Sequence, residues 1–227
     1  MDTLCHDTAE VLGVDICALR GCSGRLDRLR FPPGGVLYDL DEEFHGIYVV
    51  IEGIAKTVLV MNETEVVTGI ATRSDVLGAD ALHTTTFVTR AVAVTPLTVV
   101  RVPANVLSEL LRGSRAFRAA LHFRLGKAIA ESLDLIRLLA KARSEARIAF
   151  FLLKLASKLA EGRAATQPFN IGFTREEIGC YLGLTVETVS RKLTALAETG
   201  YVKVRGRQVR IRNWKGLERV RSKRSLH

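Results

Sequence analysis

Glu187, Thr188, Ser190, Arg191 and Thr194 form the polar face of one helical segment in this 227-residue chain, and their types point most directly to chemistry. Short polar groups and one arginine at the N-terminal end of such a helix lie where base edges would be met. That chemistry is the reading of base edges rather than the making of bonds. The surroundings fit it. Thr174-Arg-Glu-Glu177 is a capping box that opens a helix over 175–182. Gly183 suits its left-handed end, and Thr185 can cap the helix that follows over 186–198. Val186, Val189, Leu193 and Leu196 form the apolar face of that second helix, and Glu187, Thr188, Ser190, Arg191 and Thr194 the polar one. Two short helices joined by a glycine-containing turn predict a helix-turn-helix.

The next segment strengthens this prediction. Tyr201-Val-Lys-Val-Arg-Gly-Arg-Gln-Val-Arg-Ile211 alternates as a hairpin with its tip at Gly206. Lys203, Arg205, Arg207 and Arg210 surround that tip as the cations of a wing, suited to phosphates. Thr174, Arg175, Thr185, Thr188, Lys192, Arg205 and Arg207 fall where a DNA backbone would be met. The alternative is a winged helix used for protein contacts.

Charge separates the chain into unlike halves. The sequence carries 33 Lys+Arg and 24 Asp+Glu, a net of +9. Residues 1–100 hold 7 basic and 14 acidic side chains, net −7; residues 101–227 hold 26 and 10, net +16. An acidic half joined to a basic half indicates a nucleic-acid module attached to something else, with double-stranded DNA as the partner. No stretch approaches the roughly 18 apolar residues of a membrane span. The N-terminus reaches its first basic residue only at Arg20, unlike a secretory signal. A cytoplasmic protein without membrane partners is expected. G-x-S-x-G, G-x-x-x-x-G-K and H-E-x-x-H are absent, which argues against an enzyme.

These residues need a scaffold. Residues 1–30 are poorly patterned. From 31 to 103, short β-branched runs alternate with turns: 47–51, closed by Glu52-Gly53, then 57–60, a hairpin tip at Asn62-Glu63, and runs at 66–70, 91–94 and 98–102. Such spacing predicts a sandwich or barrel. From Ala104 the period becomes helical. Leu121, Leu125, Ala128, Ile129, Ser132, Leu133, Leu135, Ile136, Leu139 and Ala140 fall in an arc of roughly 160°. Arg124, Lys127, Glu131, Asp134 and Arg137 fill the other side. An arc wider than a coiled-coil seam suits a helix packed against two bodies, its own β domain and the same helix of a second chain. A twofold homodimer is expected, with Leu121, Leu125, Ala128, Ser132, Leu135 and Leu139 on its interface; an ordinary core helix is the alternative. A helix over 143–159 follows. The expected domains are an N-terminal segment 1–30, a β domain 31–103, a dimer-helix region 104–141 and a DNA-binding domain 142–227.

Ile178-Gly-Cys-Tyr-Leu-Gly-Leu-Thr-Val-Glu-Thr-Val-Ser-Arg191 closely resembles the helix-turn-helix of the CRP/FNR superfamily of bacterial transcription regulators, on its FNR-like branch. Ile47–Lys56 is similar to that family's β-roll strand and turn, and 74–82 to the segment after the roll's Gly-Asp turn, with Ser74 where glycine is usual. The resemblance runs from about Phe31 to the C-terminal region. It implies an α+β chain with a jelly-roll, cyclic-nucleotide-binding-like domain, a long dimerisation helix and a winged helix-turn-helix. It also implies TTGAT-like half-sites in an inverted repeat, read through Glu187, Ser190 and Arg191, and RNA polymerase as a partner.

The effector is unknown from the sequence. The branch that binds cyclic AMP uses a Glu and an Arg-Ser pair; here Ala79 stands at the Glu position and Thr89-Arg90 near the pair, which argues against cyclic AMP. The FNR branch holds a [4Fe–4S] cluster on four cysteines. Cys5, Cys17 and Cys22 are N-terminal, but their 11- and 4-residue separations are not the family's tighter cluster, and Val100 takes the roll position. A cluster completed by His6 or an acid, and a redox-active Cys180 beside Arg175 and Arg191, are the alternatives. His6, His45, His83, His122 and His227 include no i, i+4 pair for haem or zinc. The leading expectation is a regulator without a small-molecule sensor, controlled by its synthesis.

Overall fold

The computed structural model describes residues 3–13, 15, 19, 24–61, 64–160 and 167–222. It has an α+β architecture in two compact units, Met1–Ala130 and Glu131–His227, whose division falls within one long helix.

The first unit is built on two four-stranded sheets. One has the order β1 (Asp27–Phe31), β8 (Leu97–Pro103), β3 (Gly46–Glu52), β6 (Val76–Leu77). The other has the order β2 (Val36–Tyr38), β7 (Arg90–Ala93), β4 (Ala55–Met61), β5 (Thr64–Ala71). The run Ile47–Ile51 is continuous in apolar character because β3 is covered on both faces. Tyr48 and Val50 join Val99, Leu97, Tyr38 and Phe87 in one core cluster, while Ile47 and Val49 join Val100 and Val102 under helices. Gly53 closes the turn after β3 at φ +96, where a Cβ would strike the Pro96 carbonyl.

The N-terminal segment differs from its unpatterned reading. Thr3–Leu12 is a helix, α1, and Asp27–Phe31 is a strand. Cys5, Ala9 and Leu12 of α1 are buried with Ile47, Val49, Phe117 and Leu121. Arg124 Nη2 donates to the Val11 carbonyl at 3.1 Å, and Arg28 pairs with Asp7. The expected hairpin tip at Asn62-Glu63 lies outside the described residues.

α2 (Ala104–Gly113) and α3 (Arg115–Lys141) follow β8. In the second unit come α4 (Ser144–Ala160), β9 (Phe169–Asn170), α5 (Arg175–Leu182), α6 (Val186–Glu198), the hairpin β10 (Val202–Arg205) and β11 (Gln208–Ile211), and α7 (Trp214–Ser222). β9 adds a third strand beside β11. Ile148, Phe151, Leu152 and Leu155 of α4 are almost fully buried, at the spacing that marks one helix face.

Candidate nucleic-acid interface

Local capping fixes where both helices of the motif begin. The Thr174 hydroxyl accepts from the Glu177 N–H at 3.1 Å, and the Thr174 N–H donates to the Glu177 carboxylate at 2.7 Å. Gly183 ends α5 at φ 60. The Leu184 N–H then donates to the Gly179 carbonyl at 2.9 Å, and a Cβ on Gly179 would lie 2.5 Å from the Leu184 oxygen. A glycine at 179 therefore lets the turn close on α5. Thr185 caps α6 by accepting from the Thr188 N–H at 3.2 Å.

α6 is held by Val189, Leu193 and Leu196, all buried. Val186, read from the sequence as part of this face, is instead 43% exposed, because it sits in the first turn ahead of the packed stretch. Glu187, Ser190, Arg191 and Thr194 are exposed together. The Glu187 carboxyl lies below its usual range because it accepts from its own backbone N–H and from the Thr185 hydroxyl. It is thus held as an anionic acceptor at the N-terminal end of α6. Thr188 and Lys192 are half-buried beside this face.

The hairpin pairs Lys203 with Arg210 and Arg205 with Gln208 across its outer face, while Val202, Val209 and Ile211 point inward. Gly206 turns the tip at φ 59. Arg175 is half-buried, and burial lowers its pKa; its Nη2 donates to the Gly206 carbonyl at 3.4 Å, tying α5 to the wing. Lys203, Arg205 and Arg207 are exposed, and among the described residues they and Arg191 have no carboxylate partner. Cations in this state are available to phosphate oxygens.

α3 divides the arc read from its sequence. Leu121 is 3% exposed inside the first unit, Leu125 packs against that cluster, and Leu135 and Leu139 are buried and half-buried. Ile129, Leu133 and Ile136 are 56–63% exposed, with Ala128, Ser132 and Ala140 also exposed. A projection at 100° per residue finds the whole apolar arc, but not which part the chain covers itself. Glu131, assigned to the polar side, instead meets Lys154 at 3.2 Å and Lys158 at 3.1 Å.

The sensor positions contain other partnerships. Arg90 donates to Asp39 and to Glu65, each at 2.7 Å, and Ala79 offers no acceptor. Tyr38 and Phe87 stack at 4.0 Å, both fully buried, and Phe87 would lie 2.9 Å from a Cβ on Gly78. These residues do not fit a cyclic nucleotide's ribose and phosphate. Cys5 is buried in α1 among apolar side chains, His6 is exposed, and Val100 is buried. Cys17 and Cys22 lie outside the described residues. Among the described residues no three His, Cys, Asp or Glu gather as metal ligands, and the described part does not compose a cluster site. Cys180 is half-buried in α5.

Sequence reasoning missed Arg147 and Lys154 of α4. Arg147 donates to carbonyls of residues 139, 142, 182 and 183, and Lys154 bridges Glu131 and Tyr181. Charged residues in an amphipathic pattern read as solvent-facing, and no local signal marks these as inward.

A capped helix-turn-helix with a basic wing, joined to a double-sheeted roll, defines a class of DNA-binding transcription regulator. Comparison with known proteins agrees. Residues 146–220 match the Crp-like helix-turn-helix domain, and residues 28–114 the cyclic nucleotide-binding domain. The chain is 31% identical over 199 residues to the transcriptional regulatory protein btr of Bordetella pertussis, covering 86% of this chain and 81% of that protein. It is 30% identical over 179 residues to the transcriptional activator protein anr of Pseudomonas aeruginosa, covering 78% and 73%. The fold superposes on FixK2 from Bradyrhizobium japonicum with a TM-score of 0.76 at 23% identity, covering 87% of this chain and 98% of that one. The chain belongs to the CRP/FNR superfamily of transcription regulators. Among the described residues, no helix is long and apolar enough to cross a membrane.

Proposed function

We propose that the chain works as a homodimer that reads an inverted repeat of TTGAT-like half-sites. The observation that carries this reading is the joint exposure of Glu187, Ser190 and Arg191 on a helix pinned from behind by Val189, Leu193 and Leu196. Arg191 meets guanine, Glu187 meets cytosine, and Ser190 meets the neighbouring base. Arg205 and Arg207 hold phosphates, with Arg175, Thr188, Lys192 and the helix caps Thr174 and Thr185 beside them. The dimer forms along Gly126, Ile129, Leu133, Ile136 and Ala140, all exposed and spaced three and four apart in turn. Of the six interface positions expected from sequence, Ala128 and Ser132 flank this seam; the four leucines serve mainly their own chain. RNA polymerase is the further partner, and the cytoplasm the place of action.

The protein acts without cyclic AMP and without an oxygen-labile [4Fe–4S] cluster. The paired state of Arg90, the apolar Ala79 and Val100, and the burial of Cys5 support this.

The test is titration of a TTGAT inverted repeat and of a scrambled duplex, with light scattering of the free protein. Preference for the repeat without added effector, by a species of twice 25.0 kDa, is expected. Equal affinity for both duplexes overturns the base reading; a 25 kDa species alone, with and without DNA, overturns the dimer. A Cys5/Cys17/Cys22→Ser variant that loses affinity only in anaerobic preparations overturns the cluster-free reading.

A further inference from the structure

α4 links the last turns of α3 to α5 through two inward-facing cations. The final carbonyls of a helix lack intrahelical partners and carry the negative end of its dipole. Arg147 serves two such ends at once. Its Nη2 donates to the Leu139 carbonyl at 2.8 Å and its Nε to the Ala142 carbonyl at 3.0 Å, at the close of α3. Its Nη1 donates to the Leu182 carbonyl at 2.9 Å and to the Gly183 carbonyl at 3.3 Å, at the close of α5. Only a guanidinium has a rigid planar fork able to span four acceptors on two elements; an ammonium is a point donor.

The second link lies two turns along α4. The Lys154 ammonium is 3.2 Å from the Glu131 carboxylate and donates to the Tyr181 hydroxyl at 3.2 Å. Its side chain is only 13% exposed. A buried ion pair is a poor source of net stability, but it disfavours arrangements that separate its partners. Glu131 and Leu139 are eight residues apart on α3, about 12 Å along its axis. The two attachments leave α3 at points separated along its axis and meet α5 at consecutive residues, Tyr181 to Gly183. They therefore locate the C-terminal end of α5 and the turn that follows it relative to α3, with no single pivot on the α3 side.

We propose that Arg147 and Lys154 are positioning residues that fix the direction in which the helix-turn-helix leaves α3, and thereby the half-site spacing that the dimer accepts. This rests on the reading of a homodimer on an inverted repeat. Half-sites one helical turn apart are about 34 Å from centre to centre. One added base pair moves them by about 3.4 Å. Slack of that size in each protomer erases the distinction between neighbouring spacings while leaving each recognition face intact.

The experiment titrates full-length wild type, Arg147→Met, Arg147→Lys and Lys154→Met. The duplexes are a single TTGAT half-site and inverted repeats whose central spacer changes one base pair at a time. Wild type is expected to favour one spacing by about tenfold over its neighbours. Arg147→Met should bring the spacings within about threefold of one another while half-site affinity changes by less than about twofold. Arg147→Lys should fall between, and Lys154→Met should move the same way by less. A merely structural role would lower half-site binding and leave the ratio between spacings alone, and that pattern overturns the proposal. So does an unchanged spacing profile in both methionine variants. If Arg147→Met shows no cooperative thermal transition, Lys154→Met decides by the same ratio. A wild type indifferent to the repeat overturns the DNA reading itself; a spacing-selective wild type with unchanged variants overturns only the positioning role.

Discussion

The two units use their arginines in opposite ways. In the roll, Arg25 pairs with Glu109, Arg73 with Glu10, Arg90 with Asp39 and Glu65, and Arg101 with Asp27. In the winged helix, Arg191, Lys203, Arg205 and Arg207 stand exposed, without carboxylate partners among the described residues. The first unit carries 13 basic and 15 acidic residues, net −2, and the second 20 and 9, net +11, so the contrast is one of use as well as number. The roll employs cations to hold strands and loops together. The second unit turns Arg147, Lys154 and Lys158 inward and pairs Arg137 with Asp134, while Arg191, Lys203, Arg205 and Arg207 face outward where a polyanion could meet them. A charge count cannot distinguish these uses, but substitutions can.

The largest expected effect comes from the helix that runs through both units. Leu133→Glu places a charge in the proposed seam, where it would be desolvated without a partner. The variant should run as a 25 kDa species and bind the inverted repeat roughly 10²–10⁴-fold more weakly, because the second half-site no longer binds intramolecularly. Its affinity for a single half-site should stay that of wild type. Light scattering and anisotropy on the two duplexes check both statements, and a variant that remains dimeric refutes the seam.

Next come the exposed cations of the winged helix. Arg191→Ala should cost about 1–3 kcal/mol per half-site and relax preference at the guanine. A competition titration against duplexes altered only at that base pair measures it; an unchanged preference removes Arg191 from base reading. Arg207→Ala should weaken every sequence alike and lower the slope of log affinity against log salt by about 1. Arg90→Ala, at an equally basic residue already closed on carboxylates, should leave that slope where it is. Equal slopes for the two variants would erase the distinction between the units.

What was legible in the sequence follows the range of the interactions involved. The helix-turn-helix could be read almost residue by residue because its punctuation is local: Thr174 with Glu177, Gly183 at the end of α5, Thr185 before α6. Alternation exposed the wing for the same reason. α1 was hidden because its inward positions Cys5, Thr8, Ala9 and Leu12 have helical spacing but include three small or weakly apolar side chains. The Thr8 hydroxyl is satisfied by the Leu4 carbonyl at 2.7 Å, a contact only the formed helix supplies. In α3 the period revealed the apolar arc, but its division between self and surface depends on tertiary neighbours. Arg147 lay furthest out of reach. Its acceptors are backbone carbonyls up to 36 residues away, and carbonyls carry no sequence signal.

The smallest expected effect concerns the Arg90–Asp39 pair and separates cations used for cohesion from those used for binding. The Arg90 guanidinium donates to Asp39 and holds its carboxyl below the usual carboxylate range. A depressed folded-state pKa contributes stability above the unfolded value and loses it as pH falls through the folded one. The pair's contribution is therefore complete at neutral pH, declines once the solution becomes more acidic than about 4, and vanishes below the depressed value. Both side chains are partly exposed, which limits the contribution to about 0–1 kcal/mol. The melting temperature of wild type should exceed that of Arg90→Ala near pH 7, and the gap should narrow steadily on acidification. The expected gap is a few degrees or less, on the order of 1 kcal/mol spread over a domain of this size. In high salt it should shrink at neutral pH as well, since the pair is screened. A gap that stays constant from neutral to strongly acidic solution would mean that Arg90 acts through packing of its aliphatic stem. The roll's arginines would then not be cohesive charges, and the contrast with the winged helix would rest on exposure alone.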